Sequence, residues 1–383
     1  MRKLLWIFAL SGSLVLASCN REEVPVSAGM AISFSAAEDM DTKAAGMIAD
    51  TTFRINGRSI GVFAYNTGHY KYNEVSTNPN FMYNEKVTYN GSSWTYSPIK
   101  YWPNGEGNVT GNTGERPEYL SFFAYAPYSN PDASTPTDAD KCITAFHMQE
   151  EPGNPWLIYQ LAEDPAHQVD VLFASSYPDL IDLVKPGIND KVNMLFHHAL
   201  ACVGEQLEIK CSVLMQEETN KLVDGVNVTK AQILLRRAYI TYHLTARARL
   251  NLLSTGYIAR WEPILNGEQT TDRIVTYGPA DVYVPEVLYS TEPGENPSGG
   301  SWLSPDGMGI LYIPYDRIAD PQTFTVTVEY LVRTYNGTNY IDGPEQTRTS
   351  STILLSSYPQ AFAPSRRLSK LTINLTVDQT PNT

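Results

Sequence analysis

Cysteine and basic side chains are scarce in this chain of 383 residues. It has four Cys, and its 28 Lys and Arg stand against 41 Asp and Glu, so the formal net charge is −13. Four cysteines are too few for a disulfide scaffold of this size. A field of that sign repels polyanions, so we expect no nucleic-acid partner. Gly and Pro, at 25 each, exclude a collagen-like or linker-like chain.

Motifs for catalysis and metal binding are also missing from the sequence. It contains no CxxC, HExxH, EF-hand loop, GxSxG elbow or Walker lysine pattern. His197 and His198 are adjacent, and on a strand they would point to opposite faces. We therefore expect one packed and one exposed imidazole there. The sequence predicts no enzyme activity, no metal and no cofactor.

The N-terminal residues predict export. Residues 1–18, MRKLLWIFALSGSLVLAS, combine a basic start with an apolar run that is too short to span a membrane comfortably, as in a signal peptide. The run ends at Cys19 after small residues, which resembles a bacterial lipobox, and residues 19–29 then form a lipidated tether. The alternative is an ordinary secreted protein with a chance cysteine. Cys142, Cys202 and Cys211 remain in the mature chain and allow at most one internal bridge.

Strand patterns dominate the rest of the chain, and with 24 Tyr they predict an all-β fold. Met30, Ile32, Phe34 and Ala36 alternate with small residues, which predicts a strand with one apolar face. Asn90-Gly91 between two Tyr-rich runs predicts a hairpin. Further strands are expected at 60–65, 120–127, 169–175, 192–211, 231–242, 274–277, 309–314, 323–333 and 368–377, with a long loop at 290–307 and short helices near 138–146 and 216–223. A turn before residue 190 divides the chain into predicted domains 30–190 and 191–383.

The order of these blocks resembles the fimbrillin-like family of Bacteroidota, the subunits of type V pili. The pieces that carry the resemblance are Cys19, ISF at 32–34, Thr42-Lys43-Ala44, IGVFAY at 60–65, KYWP at 100–103, LSFFAYAP at 120–127, DVLFA at 170–174, LFHHALA at 195–201, YIP at 312–314 and LTINL at 371–375. Together they cover nearly the whole mature chain.

The resemblance implies an elongated protein of two tandem transthyretin-like, Greek-key β-sandwiches. Such subunits travel as lipoproteins to the outer membrane and are surface-exposed in the fimbrium. An Arg- or Lys-specific protease then removes the N-terminal segment, and a strand from another pilus subunit fills the vacated groove. By position the cut falls between Lys43 and Ala44, with Arg54 and Arg58 as fallbacks. The implied role is adhesion or biofilm formation.

The exchanged strand is expected at Met30, Ile32, Phe34 and Ala36. Burying the larger of these side chains contributes roughly 1.5–3 kcal/mol each. Loss of the strand exposes a groove and a sheet edge, which another extended chain can fill by strand addition. We expect 30–36 to sit as a removable edge strand.

Two alternatives concern the role. Only 378–383 follow LTINLTV at 371–377, which favours a tip or accessory subunit, although 368–377 could itself be the donor strand. The second alternative is a surface glycan-binding lipoprotein, in which Trp94, Trp102, Trp156, Trp261 and Trp302 stack on sugars. An aromatic core explains the same residues.

Overall fold

The computed structural model describes most of the chain beyond the predicted tether. The described residues are 29–38, 53–103, 117–185, 190–214, 222–223, 226–227, 231–256, 258–264, 270–278, 286–290, 300–304, 309–315, 320–335, 338–358 and 367–378. Among them, no helix is both long enough and apolar enough to cross a membrane.

The first half of the chain folds into nine strands and one short α-helix. The strands are β1 (Phe34–Glu38), β2 (Ser59–Gly68), β3 (Met82–Tyr89), β4 (Trp94–Thr95), β5 (Tyr119–Ala126), β6 (Ile143–Phe146), β7 (Trp156–Gln160), β8 (Leu172–Ala174) and β9 (Val192–His198). The helix is α1 (Asp138–Cys142), and Thr137 caps it through a capping box with Asp140. A 3₁₀ turn, Pro165–His167, precedes β8.

The second half is β-structure with one short 3₁₀ turn at Leu355–Ser357. Its strands are β10 (Ala201–Leu214), β11 (Leu222–Val223), β12 (Val226–Asn227), β13 (Ala231–Thr245), β14 (Arg247–Thr255), β15 (Ile258–Glu262), β16 (Thr270–Tyr277), β17 (Glu286–Ser290), β18 (Gly300–Leu303), β19 (Ile310–Tyr312), β20 (Thr323–Tyr335), β21 (Tyr340–Thr349), β22 (Ile353–Leu354) and β23 (Arg367–Asp378). The prediction of an all-β fold is confirmed.

Seven strands close into a barrel in the order β1-β4-β3-β2-β5-β8-β9. The hairpin β3–β4 forms at the predicted place, where the Asn90 side chain accepts hydrogen bonds from the backbone N–H groups of Ser92 and Ser93. Gly91 has a φ of 92°, a conformation that side chains with a Cβ rarely adopt. The sequence signal for this turn therefore has a local backbone cause.

The continuous apolar run of β2 reflects burial on both faces. Ile60, Val62 and Ala64 belong to the barrel core, whereas Phe63 and Tyr65 belong to a second core outside the barrel. Because successive side chains of a strand point to opposite faces, a strand between two cores needs apolar residues at every position. The strand β5 repeats this pattern with Leu120–Tyr125.

Three larger sheets and one small one complete the fold. A four-stranded sheet has the order β15-β14-β7-β6, a six-stranded sheet is built on β16-β13-β20-β21 with β17 on β13 and β22 on β20, and in another β10 pairs with β18, β19 and β23. The strands β11 and β12 pair only with each other. The outer core is continuous across these sheets and includes Tyr159, Trp261 and Tyr312.

The domain boundary near residue 190 and the tandem, elongated arrangement stay predictions. Strands from both sides of residue 190 share sheets in the described chain. The strand β9 lies after it and pairs with β1 and β8, and β14 pairs with β7. Within the loop predicted at 290–307, the structure places the strand β18.

Candidate strand-exchange site

The strand β1 closes the barrel by pairing on both sides, each with a different part of its length. Phe34–Glu38 runs parallel to β9, from Phe34 opposite Val192 to Glu38 opposite Phe196. On the other side, Phe34 pairs with Trp94, and the residues before it bond to the segment after β4: Ile32 N–H donates to the Lys100 carbonyl, 2.9 Å. The predicted edge position is therefore wrong, since removing β1 would open a closed barrel.

The side chains of this segment follow the predicted alternation. Ile32, Phe34 and Ala36 are buried in the barrel core, with 2–3% of their surface exposed, and Met30 is half-buried against it. Phe34 packs against Tyr96 and Phe122, at ring-centroid distances of 5.4 and 5.9 Å. The groove that holds the strand is thus lined by aromatic rings.

Tyr96 also reads the backbone of the segment. Its hydroxyl donates to the Ile32 carbonyl at 3.0 Å. This contact fixes the position of the strand along the groove without depending on a β1 side chain. Any extended segment that occupies the groove could accept the same bond.

The apolar stripe of β1 ends in a buried acid. Glu38 is the next inward-facing residue after Ala36, and its Oε1 lies 2.9 Å from Nε2 of His198 on β9. The other imidazole nitrogen, Nδ1, lies 2.7 Å from Oδ2 of Asp170, which directly precedes the segment of β8. All three side chains are at most 2% exposed.

The imidazole of His198 is charged in this environment. Burial alone would lower its pKa, but the charges and hydrogen bonds of Asp170 and Glu38 outweigh that effect and raise the pKa of His198 to about 10. At neutral pH the group is an imidazolium between two carboxylates, with both ring nitrogens donating. We call Glu38, His198 and Asp170 the buried triad.

The buried triad corrects one expectation and adds residues that the sequence did not single out. His197 and His198 do point to opposite faces, but both are buried, since His197 packs against Phe173 on the outer side of the barrel. Glu38, Asp170 and His198 carry no motif. The signal available in the sequence was the two-residue period, which continues from Ala36 to Glu38.

Three predicted site residues lie outside the described residues. Cys19, the predicted lipidation site, precedes residue 29, and Lys43 and Ala44, the predicted cleavage position, lie between Glu38 and Phe53. Lipidation and cleavage stay predictions. The described chain places β1 immediately before that segment and the barrel immediately after it.

The tryptophans are mainly core residues. Trp94, Trp102 and Trp261 are buried, and Trp156 and Trp302 are half-buried. Trp261 donates its indole N–H to the Ala199 carbonyl at 2.9 Å, and Arg249 lies over the Trp156 ring. Their surroundings favour the aromatic-core interpretation over a sugar-stacking platform.

The three cysteines described are all free thiols. Burial raises the pKa of Cys142 and of Cys211 to about 11, so both are protonated at neutral pH. No group of three His, Cys, Asp or Glu among the described residues is arranged to hold a metal ion.

Comparison with known proteins accounts for this arrangement. The family model described as fimbrillin-like matches residues 42–236, just over half of the chain. The chain belongs to the fimbrillin-like family. The matched region begins one residue before Lys43 and contains β2–β12 and part of β13, so β1 lies outside it.

Two relatives of this fimbrillin-like chain are informative. It is 29% identical to the fimbrium subunit Fim1C of Phocaeicola vulgatus over 192 residues, which is 46% of this chain and 43% of that protein. The alignment thus spans less than half of that relative. The crystal structure of a fimbrial protein from Bacteroides vulgatus aligns over 91% of this chain and 95% of its own, with a TM-score of 0.55 and 19% identity. At that identity the likeness shows a shared fold.

Proposed function

We propose that this fimbrillin-like chain is a structural and adhesive subunit of a type V pilus that assembles by strand exchange. In this proposal a protease cuts between Lys43 and Ala44, β1 leaves the barrel, and an extended strand of another subunit takes its place beside β9 and β4. The observation that carries the proposal is the position of β1. It fills an aromatic groove, completes the barrel, and directly precedes the segment that contains the predicted cut.

The energetic logic is one of balanced replacement. Removal of β1 takes Ile32 and Phe34 out of the core, at roughly 1.5–3 kcal/mol each, and leaves backbone groups of β9 without partners. While β1 is part of the same chain, its effective concentration disfavours a competing strand. Cleavage abolishes that advantage, so an incoming strand competes on equal terms.

Export as a lipoprotein belongs to the same proposal. Residues 1–18 act as the signal peptide, Cys19 carries the lipid, and the precursor is held at the outer surface of the outer membrane before it joins the fimbrium. Its partners are then other pilus subunits, the outer-membrane lipid anchor and ligands on host or bacterial surfaces. A tip or accessory position, with a contribution to adhesion and biofilm formation, is the form of the proposal that we favour.

The C-terminal strand supports that position. The strand β23 pairs parallel with β10 at eleven positions, from Cys202–Arg367 to Leu214–Asp378. A strand that is built into its own sheet in this way is not available as a donor to a neighbour unless that sheet is dismantled. The alternative in which 368–377 is the donor strand requires such a release.

A glycan-binding lipoprotein remains the alternative function. Its motivating residues, the tryptophans, are buried or half-buried, so it has less support than the structural role. Binding on a broad glycan array that one exposed aromatic substitution abolishes would favour it.

The deciding experiment is cleavage of the purified precursor by an Arg- and Lys-specific surface protease. We expect one discrete cut, a new N-terminus at Ala44 by N-terminal sequencing, and its loss in Lys43→Ala. The matched control is Lys71→Ala, because Lys71 is an exposed lysine of the folded barrel and its substitution should leave the cut unchanged.

Assembly is then followed on the cleaved protein mixed with the other subunits of the same pilus. We expect detergent-resistant oligomers and fibres in electron micrographs, and none from the Lys43→Ala precursor. A cleaved protein that keeps β1 seated and never joins a partner would contradict the strand-exchange function.

A further inference from the structure

The buried triad divides between the strand that leaves and the body that stays. Glu38 lies on β1, upstream of the predicted cut, whereas His198 lies on β9 and Asp170 precedes β8. Release of β1 would remove one carboxylate and leave the other two groups in place. We call His198 and Asp170 the acid socket.

We propose that the acid socket selects the replacing strand, which must be a segment of a partner subunit with a carboxylate at the position of Glu38. This inference rests on the proposed strand exchange and names the chemistry of the exchanged partner. The occupant is an extended acidic segment that runs parallel to β9.

The orientation of His198 is set by the body of the protein. Asp170 lies 2.7 Å from Nδ1, so the imidazole is held by a bond that does not involve β1. Its Nε2–H is thereby aimed at the groove, where Glu38 now accepts it at 2.9 Å. The socket therefore keeps its direction when the strand is exchanged, and it presents one charged donor to whatever enters.

An incoming strand that cannot accept this bond leaves a charged donor buried without a partner. Hydrogen bonds to charged groups are stronger than neutral ones, and a buried unsatisfied donor retains the full penalty of its desolvation. An apolar side chain at this position is therefore disfavoured by more than its own fit. A carboxylate satisfies both the donor and the charge, and an amide satisfies only the donor.

The register of β1 specifies the rest of the segment. Phe34 is opposite Val192, Ala36 opposite Met194 and Glu38 opposite Phe196. These inward positions require a large apolar residue, a small residue and an acid at successive alternate places. Ile32, two residues before Phe34, adds a second large apolar position.

The C-terminal strand of a second copy does not meet this requirement. The apolar phase of β23 contains Leu371, Ile373 and Leu375, and no position of that phase from 367 to 377 is acidic. Asp378 falls in the opposite, polar phase. The charge pattern therefore favours a different subunit over self-assembly through β23.

The test uses the full secreted chain with Cys19→Ser and a site for a sequence-specific protease inserted between 39 and 52, so that cutting does not depend on the natural enzyme. Fluorescent peptides compete with β1 for the cut protein, and binding is followed by anisotropy. The parent peptide has the sequence of residues 29–38, and its variants carry Glu38→Gln or Glu38→Leu. A charge-matched control carries Ala37→Glu together with Glu38→Leu, which moves the acid to the outward face.

We expect the parent peptide to bind best, the Gln variant to be intermediate, and the Leu variant and the charge-matched control to bind about 10- to 100-fold more weakly. Equal binding of all four peptides would overturn the acid socket and leave strand exchange standing. If no peptide enters the cut protein, the strand-exchange function itself fails, and the inference fails with it.

Two further measurements sharpen the result. A peptide of residues 367–378 should bind more weakly than the parent, and equal or tighter binding would overturn the assignment to a different subunit. In the His198→Leu protein the preference for Glu over Leu should disappear, and a preference that persists would overturn the role of the socket. The peptide series on the wild-type protein stands by itself if that variant does not fold.

Discussion

The strands β1 and β23 are attached to the body of the protein in similar ways but are held by different forces. Each runs parallel to its neighbour, β1 on β9 and β23 on β10. The strand β1 has five paired positions along β9 and places Phe34, Ala36 and Glu38 in a closed core. The strand β23 has eleven paired positions, and its only ion pair in the described chain is an exposed one between Lys370 and Glu208, at 2.9 Å.

The difference suggests how one strand can be exchangeable and the other permanent. A long ladder distributes its stability over many backbone hydrogen bonds, which a competitor must displace together. A short strand concentrates its stability in a few side-chain pockets, so the sequence of the competitor decides the outcome. Four predictions test this contrast.

The largest effect is expected from truncation of the β1 anchor. Phe34→Ala should lower the free energy of unfolding by about 3–5 kcal/mol, because it empties a pocket between Tyr96 and Phe122. Chemical denaturation of the uncut protein measures this. Ile373→Ala on β23 should cost less, since Ile373 is only half-buried. An equal loss at the two positions would contradict the contrast.

The second prediction concerns pH. The pKa of His198 is about 10 in the folded protein and near its ordinary 6.5 in the unfolded chain, so the folded state binds the proton more tightly. The stabilisation is fully present below pH 6.5 and is lost as the pH rises through about 10. The slope reaches at most about 1.4 kcal/mol per pH unit.

Denaturation curves of the wild type and His198→Gln between pH 6 and 10 measure this effect. The difference in unfolding free energy between the two proteins should narrow as the pH rises. A difference that stays constant over this range would show that the imidazole is not charged in the barrel.

The third prediction separates charge from shape in the buried triad. Glu38→Gln keeps an acceptor for His198 but removes one carboxylate, and it should destabilise the uncut protein by about 1–2 kcal/mol at pH 7. Thermal unfolding and chemical denaturation both report it. The matched control is Ser35→Ala on the outward face of β1, which should stay within about 0.5 kcal/mol.

The smallest effect is expected at the ion pair of β23. Lys370→Ala removes the contact with Glu208, which remains hydrogen-bonded to Thr372, and the pair is exposed to solvent and screened by salt. We expect no measurable change in the unfolding midpoint. A loss as large as that of Glu38→Gln would mean that β23, too, depends on side-chain charge.

Much of the fold could be predicted from local patterns. The alternation from Met30 to Ala36, the Asn90-Gly91 turn and the two-sided apolar run of β2 each depend on the geometry of a single strand or turn. The strands β6, β7, β14 and β15 were not predicted from the sequence. They form one sheet from distant parts of the chain, and that pairing leaves no local mark.

The candidate site was predicted only in its apolar part. Ile32, Phe34 and Ala36 signal burial by their period, but Glu38, Asp170 and His198 are polar residues of ordinary appearance. Glu38 and His198 are 160 positions apart in the chain. No spacing rule connects residues that meet only through the closure of a barrel.

The sequence by itself determined the class of the fold, the strand that fills the groove and the resemblance to the fimbrillin-like family. Hydrophobic period and turn chemistry are local, and they survive in any arrangement of the strands. Only the tertiary structure decided that β1 closes a barrel instead of lining an edge, and that its last inward residue meets a charged histidine. Both depend on which strands become neighbours, because burial and charge compensation are properties of the assembled core.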